Sequence, residues 1–289
     1  MKIKLLDSRK IKDFPSGSGM EYFNDQVYLA GDDAADILVM DKRWREVNRI
    51  KIFDNSELRI SKKEKSDLEA TTVIEINDIP YLLVLGSGSR EQHRNKAILV
   101  NLDSCNFTEY NLDVFYRRLK ESGIQDLNIE SAAVVEDLLI LGNRGNKSNH
   151  GNQIIITQPE FWNNQQDAEI RIIPIEIENE FAGLSGLAYS IKNDSLLFTS
   201  STENTDNSYE DGQIGESCFG IIENAYRKLY RKRVRLNELV NLSEVDTSFK
   251  DHKIESVCIQ SEKRGRFKLH FVSDNDEGGS YLFKVQVRL

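Results

Sequence analysis

At 289 residues, with 39% hydrophobic and 29% charged side chains, the chain carries enough apolar material for a packed core and reads as globular. Four prolines and 17 glycines exclude a fibrous or low-complexity class. The balance of 38 Lys and Arg against 47 Asp and Glu, a net charge of -9, argues against a nucleic-acid surface, because phosphate contacts need clustered positive charge.

Lys2 to Leu6 alternates in character and stands before any complete repeat, so it reads as a lone strand in want of partners. From Gly17 onward one pattern recurs: a polar or acidic residue before small and β-branched residues, a polar turn, an apolar strand, then a loop rich in Gly, Ser, Asn and charge. Its sharpest copy is Asn128 to Gly145 (NIESAAVVEDLLILGNRG). The others are Gly17 to Asp33, Leu68 to Ser89, Leu184 to Asn204 and Ile254 to Asp276. Aligning Gly19, Glu69, Glu130, Ser185 and Glu255 places the copies roughly 50 to 70 residues apart, in the range of propellers and arrays.

Repeat one offers strands at Met20 to Phe23, Gln26 to Ala30, Asp36 to Met40 and Arg45 to Phe53, with Asn24-Asp25 as turn chemistry. After a polar link from Asp54 to Asp67, repeat two gives Ala70 to Ile76, Tyr81 to Leu85, Lys96 to Asn101 and Phe107 to Asn111. Leu112, Phe115, Tyr116 and Leu119 then fall at helical spacing before Gly123, which predicts a helical insertion near 112–124. Repeat three gives Ser131 to Val135, Leu138 to Leu141, Gln153 to Thr157 and Glu169 to Ile177. Repeat four gives Gly186 to Ser190, Ser195 to Ser200, Cys218 to Ile222 and a basic fourth strand around Leu229 to Leu236. The run Arg227 to Arg235 is read there as a charged outer edge that discourages further pairing. Asn237 to Asp251 reads as a linker or helical turn. Repeat five supplies only three strands, Ser256 to Gln260, Lys268 to Val272 and Ser280 to Val287, so one is missing and Lys2 to Leu6 can complete it.

The expectation is an all-β chain forming one propeller domain over residues 1–289, with five four-stranded blades closed by the N-terminal strand. Six blades are the alternative if residues 43–58 or 225–245 conceal a further sheet.

Cys105, Cys218 and Cys258 are odd in number and far apart, so they read as buried thiols rather than a disulfide or zinc framework. The four histidines lack metal-ligand spacing. Leu5 and Leu6 are too short a core for a signal peptide or membrane span, so a cytoplasmic protein without membrane contact is expected, or a secreted or periplasmic one if a leader has been removed. No oligomeric state can be read.

Where Ile254-Glu255-Ser256-Val257 is followed by His270-Phe271-Val272-Ser273-Asp274-Asn275-Asp276, the chain resembles the phytase-like β-propellers, a family described as having esterase-like activity of phytase, and their uncharacterised bacterial relatives. That resemblance implies a pocket at the channel mouth, sometimes holding calcium and binding phosphorylated or other anionic ligands, as in a hydrolase. It carries over to Glu255, Asp274, Asn275 and Asp276, with Glu69 and Glu130 as the sibling positions. Unlike a calcium phytase, the chain lacks a dense Lys and Arg cluster beside its acidic loops.

Because the first strand of each blade lines a propeller channel, Glu69, Glu130 and Glu255 should converge at one end. There they would bind a hard cation, pair with positive groups or raise one another's pKa. Together with Asp274 and Asp276 they form the expected calcium ligands. Arg90, Arg144 and Glu203 are the expected contacts of a small anionic molecule, with Asp32 and Asp33 adding negative potential. The competing expectation is a non-catalytic propeller binding a small ligand or protein, whose channel glutamates join neighbouring blades by accepting backbone N–H bonds. No GxSxG, HExxH, Walker or EF-hand pattern is present.

Overall fold

Asn24-Asp25 and Asn77-Asp78 both adopt left-handed backbone, with φ of 51° and 63° and of 52° and 62°. Two successive positive φ values make the tight turn whose twist matches that of the strands it joins, and Asn and Asp tolerate it best among side-chain-bearing residues. Turns of this kind close the inner hairpins of the first two repeats. The computed structural model describes residues 1–90, 92–146, 151–177, 182–203, 214–274 and 279–289.

Strand β1 (Lys2–Ile11) precedes the first blade, which is β2 (Gly17–Phe23), β3 (Gln26–Gly31), β4 (Asp36–Asp41) and β5 (Glu46–Lys51). The second is β6 (Leu68–Ile76), β7 (Ile79–Gly86), β8 (Lys96–Asn101) and β9 (Phe107–Asn111). Helix α1 (Asp113–Glu121) follows, burying Phe115, Tyr116 and Leu119 as the spacing predicts. The third blade is β10 (Ile129–Val135), β11 (Leu138–Asn143), β12 (Gln153–Thr157) and β13 (Arg171–Glu176). The fourth starts with β14 (Ala182–Ser190), β15 (Ser195–Glu203) and β16 (Ile214–Glu223). Its outer strand comes after the two-residue β17 (Val234–Arg235) and is β18 (Glu238–Asn241). Strands β19 (Lys253–Lys263), β20 (Arg266–Asp274) and β21 (Ser280–Arg288) form the fifth blade, and β1 pairs antiparallel with β21 from Lys2↔Arg288 to Ile11↔Ser280. The ring is a five-bladed β-propeller, closed by the N-terminal strand as expected.

The innermost strands β2, β6, β10, β14 and β19 touch in sequence, and β19 touches β2. Five apolar clusters fill the five blade interfaces: Leu83 with Leu141, Ile140 with Phe198, Leu197 with Phe271, Val272 with Met20, and Tyr28 with Leu82 stand for one each. Each blade therefore buries both faces, which explains runs such as Leu82 to Leu85 that are apolar without alternation.

Two expectations for the fourth repeat are corrected. Residues 229–236 do not form its outer strand, because Asn224 turns left-handed and a helical turn, Ala225–Lys228, starts there with Ala225 N–H bonded to the Asp194 carbonyl. Val234–Arg235 instead pairs parallel with β13 of the third blade, and Glu238–Asn241, expected in a linker, takes the edge position. Cys105, expected to be buried, is exposed in a turn at φ 59°, whereas Cys218 and Cys258 are buried thiols.

Candidate functional site at the bulged mouth of the channel

The register of every inner strand slips at the same place, and that of β19 slips a second time between Ile259 and Ser261. One extra residue stands between Gly17 and Gly19, Leu68 and Ala70, Ile129 and Ser131, Leu184 and Gly186, and Ile254 and Ser256. The bulged residues are Ser18, Glu69, Glu130, Ser185 and Glu255. A bulge frees a residue from the ladder and re-aims its side chain, so these five gather at one mouth of the channel. The alignment of Glu69, Glu130, Ser185 and Glu255 is thus right in four blades, while in the first the equivalent is Ser18 and not Gly19.

Two bulged serines join blades. Ser18 Oγ donates to the Leu68 carbonyl, and Ser185 Oγ donates to the Ile254 carbonyl at 2.6 Å, in each case to the residue just before the next blade's bulged glutamate. Both serines are buried. Replacing Ser185 by Ala leaves that buried carbonyl without its donor and is expected to cost about 1 to 2 kcal/mol, read as a lower urea midpoint at unchanged slope.

Glu130 and Glu255 are wired to cations rather than to the backbone N–H groups expected of them. Arg144, the first residue after β11, is buried and bridges three blades: its Nη1 lies 3.4 Å from Glu130 Oε2 and 3.8 Å from Glu255 Oε2, and its Nη2 donates to the Ser201 carbonyl and hydroxyl at 3.2 and 3.1 Å. Asn128 Nδ2 donates to Glu130 Oε1 at 2.6 Å. Lys253 lies 3.0 Å from Glu255 Oε1. Burial still pushes the Glu255 carboxyl up to about 8, with Lys253 and Arg144 opposing and Glu130 adding to the rise.

Glu69 is different. Among the described residues no hydrogen bond or ion pair reaches its carboxylate, and burial together with Glu130, Asp67, Asp32 and Glu255 holds it well above the ordinary carboxylate range. Beside it stand Asp32, after β3, and Asp67, just before β6. One oxygen from each of Asp32, Asp67 and Glu69 lies within 4.8 Å of the other two. Asp67 takes a left-handed backbone (φ 53°), a conformation that Asp adopts more readily than most residues. It is the best supplied of the three: Lys65 Nζ at 2.9 Å, Arg94 Nη1 at 2.6 Å and Ser87 Oγ at 2.5 Å. Burial would raise Asp67, but Lys65 and Arg94 hold it below its ordinary value. Lys65 also pairs with Asp32, whose carboxyl burial raises despite that ammonium, and whose Oδ1 is buried without a hydrogen-bond partner.

The structure therefore brings together Glu69, Glu130, Glu255 and Arg144. Arg90 is exposed, and the cation reaching the mouth from that loop is Arg94. Asp274 is half-buried opposite Lys253 in the ladder. Glu203 ends β15, but its side chain, like Asn275 and Asp276, lies outside the described residues. Lys65, Asp67, Arg94 and Lys253 were not singled out from sequence. Stepping two residues back from each bulged residue gives Ser16, Asp67, Asn128, Gly183 and Lys253, a signal that finds Asp67 and Lys253. Lys65 and Arg94 have no counterpart in the other repeats.

With this geometry in place, comparison with known proteins gives a family. The pattern of a family of unknown function (DUF6929) matches residues 13–287. The chain belongs to that family. No curated protein matches it. Among solved structures, this DUF6929 propeller is similar to the glutaminyl cyclase of Myxococcus xanthus, with a TM-score of 0.58 at 6% identity over 99% of this chain and 97% of that one. It is also similar to the tail fiber of Staphylococcus aureus phage P68 (0.54, 11%, 100% and 53%) and to a bifunctional GH43-CE of Bacteroides eggerthii (0.51, 12%, 96% and 34%). The chain thus spans about half and about a third of those two. At such identities the likeness is one of fold. What the phytase-like resemblance shares with these findings is the propeller. Among the described residues no helix is long and apolar enough to cross a membrane.

Proposed function

We propose that the bulged mouth binds a divalent cation of the calcium type on Asp32, Asp67 and Glu69, and through it a small anionic molecule. The observation that carries this reading is the trio itself. Its oxygens lie within 4.8 Å of one another, about the span of two calcium–oxygen bonds set opposite each other. Among the described residues, one of the three holds a buried oxygen with no hydrogen bond, and no ion pair reaches the carboxylate of another. Hard oxygen donors in a partly dry site suit calcium or magnesium rather than a soft metal. Such an ion would polarise a bound phosphoryl or carboxyl oxygen, the chemistry a hydrolase would need. Lys65 shares Asp32 and Asp67 with the ion, so ammonium and cation compete for the same oxygens. Glu130 and Glu255 are committed to Arg144 and Lys253 and hold the far side of the mouth.

The test is thermal melting of chelator-treated protein with and without calcium, repeated on Glu69→Gln. Calcium is expected to raise the melting temperature of the wild type and to leave Glu69→Gln unshifted. Equal shifts in both would remove Glu69 from the site.

A second reading has its own support. Ser18, Ser185 and Arg144 tie neighbouring blades together, which suits a non-catalytic propeller whose mouth charges serve the ring itself. It predicts no calcium response in either protein.

A further inference from the structure

At the other end of the channel, where the inner strands finish, a cavity of about 860 Å3 opens, lined by residues from all five blades. That volume lies within the range of small-molecule sites. Its body is apolar, with Val73, Ile74, Val134, Tyr189 and Ile259 on the wall. Its charge is one-sided: Glu21, Glu75, Glu136 and Glu262 line it against Lys192.

These carboxylates are not equivalent. Glu75 and Glu136 are exposed at the rim, and Glu262 is half-buried and accepts from Ser190 Oγ. Glu21 lies only three residues past Ser18, whereas Glu75, Glu136 and Glu262 lie six or seven past Glu69, Glu130 and Glu255, so along the channel it sits nearest the bulged mouth. No ion pair reaches it among the described residues. Burial pushes its carboxyl up to about 8, and its negative charge reaches the buried Cys258 thiol on β19.

Beside it, Gln260 is oriented by a chain of bonds. Trp44 Nε1 can only donate, so His270 Nδ1 accepts from it at 2.9 Å, which places the ring proton on Nε2, where it donates to Gln260 Oε1 at 2.8 Å. Burial and the nearby Lys284 and Lys268 keep that imidazole neutral. The Gln260 amide oxygen is therefore held by His270.

From the cavity, its acidic lining and its apolar wall we infer that this end of the channel is a second binding site, which takes a small organic ammonium on an aromatic or aliphatic body. The ammonium favours the ionised form of Glu21 and pairs with it, the apolar body lies against Val73, Ile74 and Ile259, and the rim glutamates attract the cation as it approaches. An anion of the same shape is repelled by the same lining. This site does not depend on an ion at the bulged mouth.

The test is calorimetric titration of the full chain with phenethylamine and with phenylpropionate, an apolar body of similar size carrying the opposite charge. Saturable binding of one phenethylamine per chain is expected, weakened about tenfold or more in Glu21→Gln, with no binding of phenylpropionate. Glu21→Gln replaces a half-buried acid by a neutral isostere, and its melting temperature verifies the fold. Should it not fold, Glu262→Gln, nearer the rim, is expected to weaken the amine in the same direction by a smaller factor. Absence of saturable amine binding, undiminished binding in a folded Glu21→Gln (or, in its place, Glu262→Gln), or tighter binding of phenylpropionate would each overturn the assignment.

Discussion

Arg144→Ala is expected to cost about 3 to 5 kcal/mol of folding stability, the range for breaking a buried charge pair from one side. The guanidinium is buried against two carboxylates from different blades and closes a third blade through Ser201. Its removal leaves Glu130 with Asn128 and Glu255 with Lys253 in a dry mouth. Arg144→Lys should recover only part, because one ammonium cannot reach both carboxylates and the Ser201 carbonyl. The loss also has a pH signature. The folded Glu255 carboxyl, at about 8, lies above its unfolded value, so the stability its neutral form contributes is full below the ordinary carboxylate range and is lost as pH rises through about 8. Without Arg144 that value rises further, so the part of the deficit that comes from Glu255 should grow as pH rises through about 8. Urea melts at pH 5 and pH 9 would show it. A deficit below about 1 kcal/mol at both would mean that the mouth is hydrated and the pairing weak.

Lys65→Met should make stability depend on calcium. Lys65 is mostly buried between Asp32 and Asp67, and these two with Glu69 raise its pKa against the opposing effect of burial. Without it, Asp67 keeps Arg94 but Asp32 loses the ammonium that pairs with it, a loss of about 3 kcal/mol in chelator. Calcium at about a hundred times its dissociation constant should return about 2.7 kcal/mol and bind more tightly than to the wild type, since no ammonium competes. A variant destabilised equally with and without calcium would show that the trio does not take calcium in place of Lys65.

The blades were legible because their hairpins follow local rules: paired Asn-Asp turns, short apolar runs, and a lone first strand matched by a last repeat one strand short. The three glutamates were legible because each opens an inner strand directly before small and β-branched residues, which is where the bulge falls. Ser18 was missed by one position, since Gly17-Ser18-Gly19 holds no acid to align on. Lys65 and Arg94 were not legible. Each occurs once, in a polar link and just before an inner hairpin's third strand, and only the closed ring brings both to Asp67. The outer strand of the fourth blade was misplaced because Leu229 to Leu236 mixes apolar and basic residues as an edge strand does. The turn that begins at Asn224 carries that run away from its own sheet.

The most direct test of the account is a calorimetric titration of calcium into chelator-treated wild-type protein. The account predicts one saturable site per chain, lost in Glu69→Gln and strengthened in Lys65→Met. No binding heat in either the wild type or Lys65→Met would contradict it, and would leave the mouth as a charge network that holds five blades in a ring.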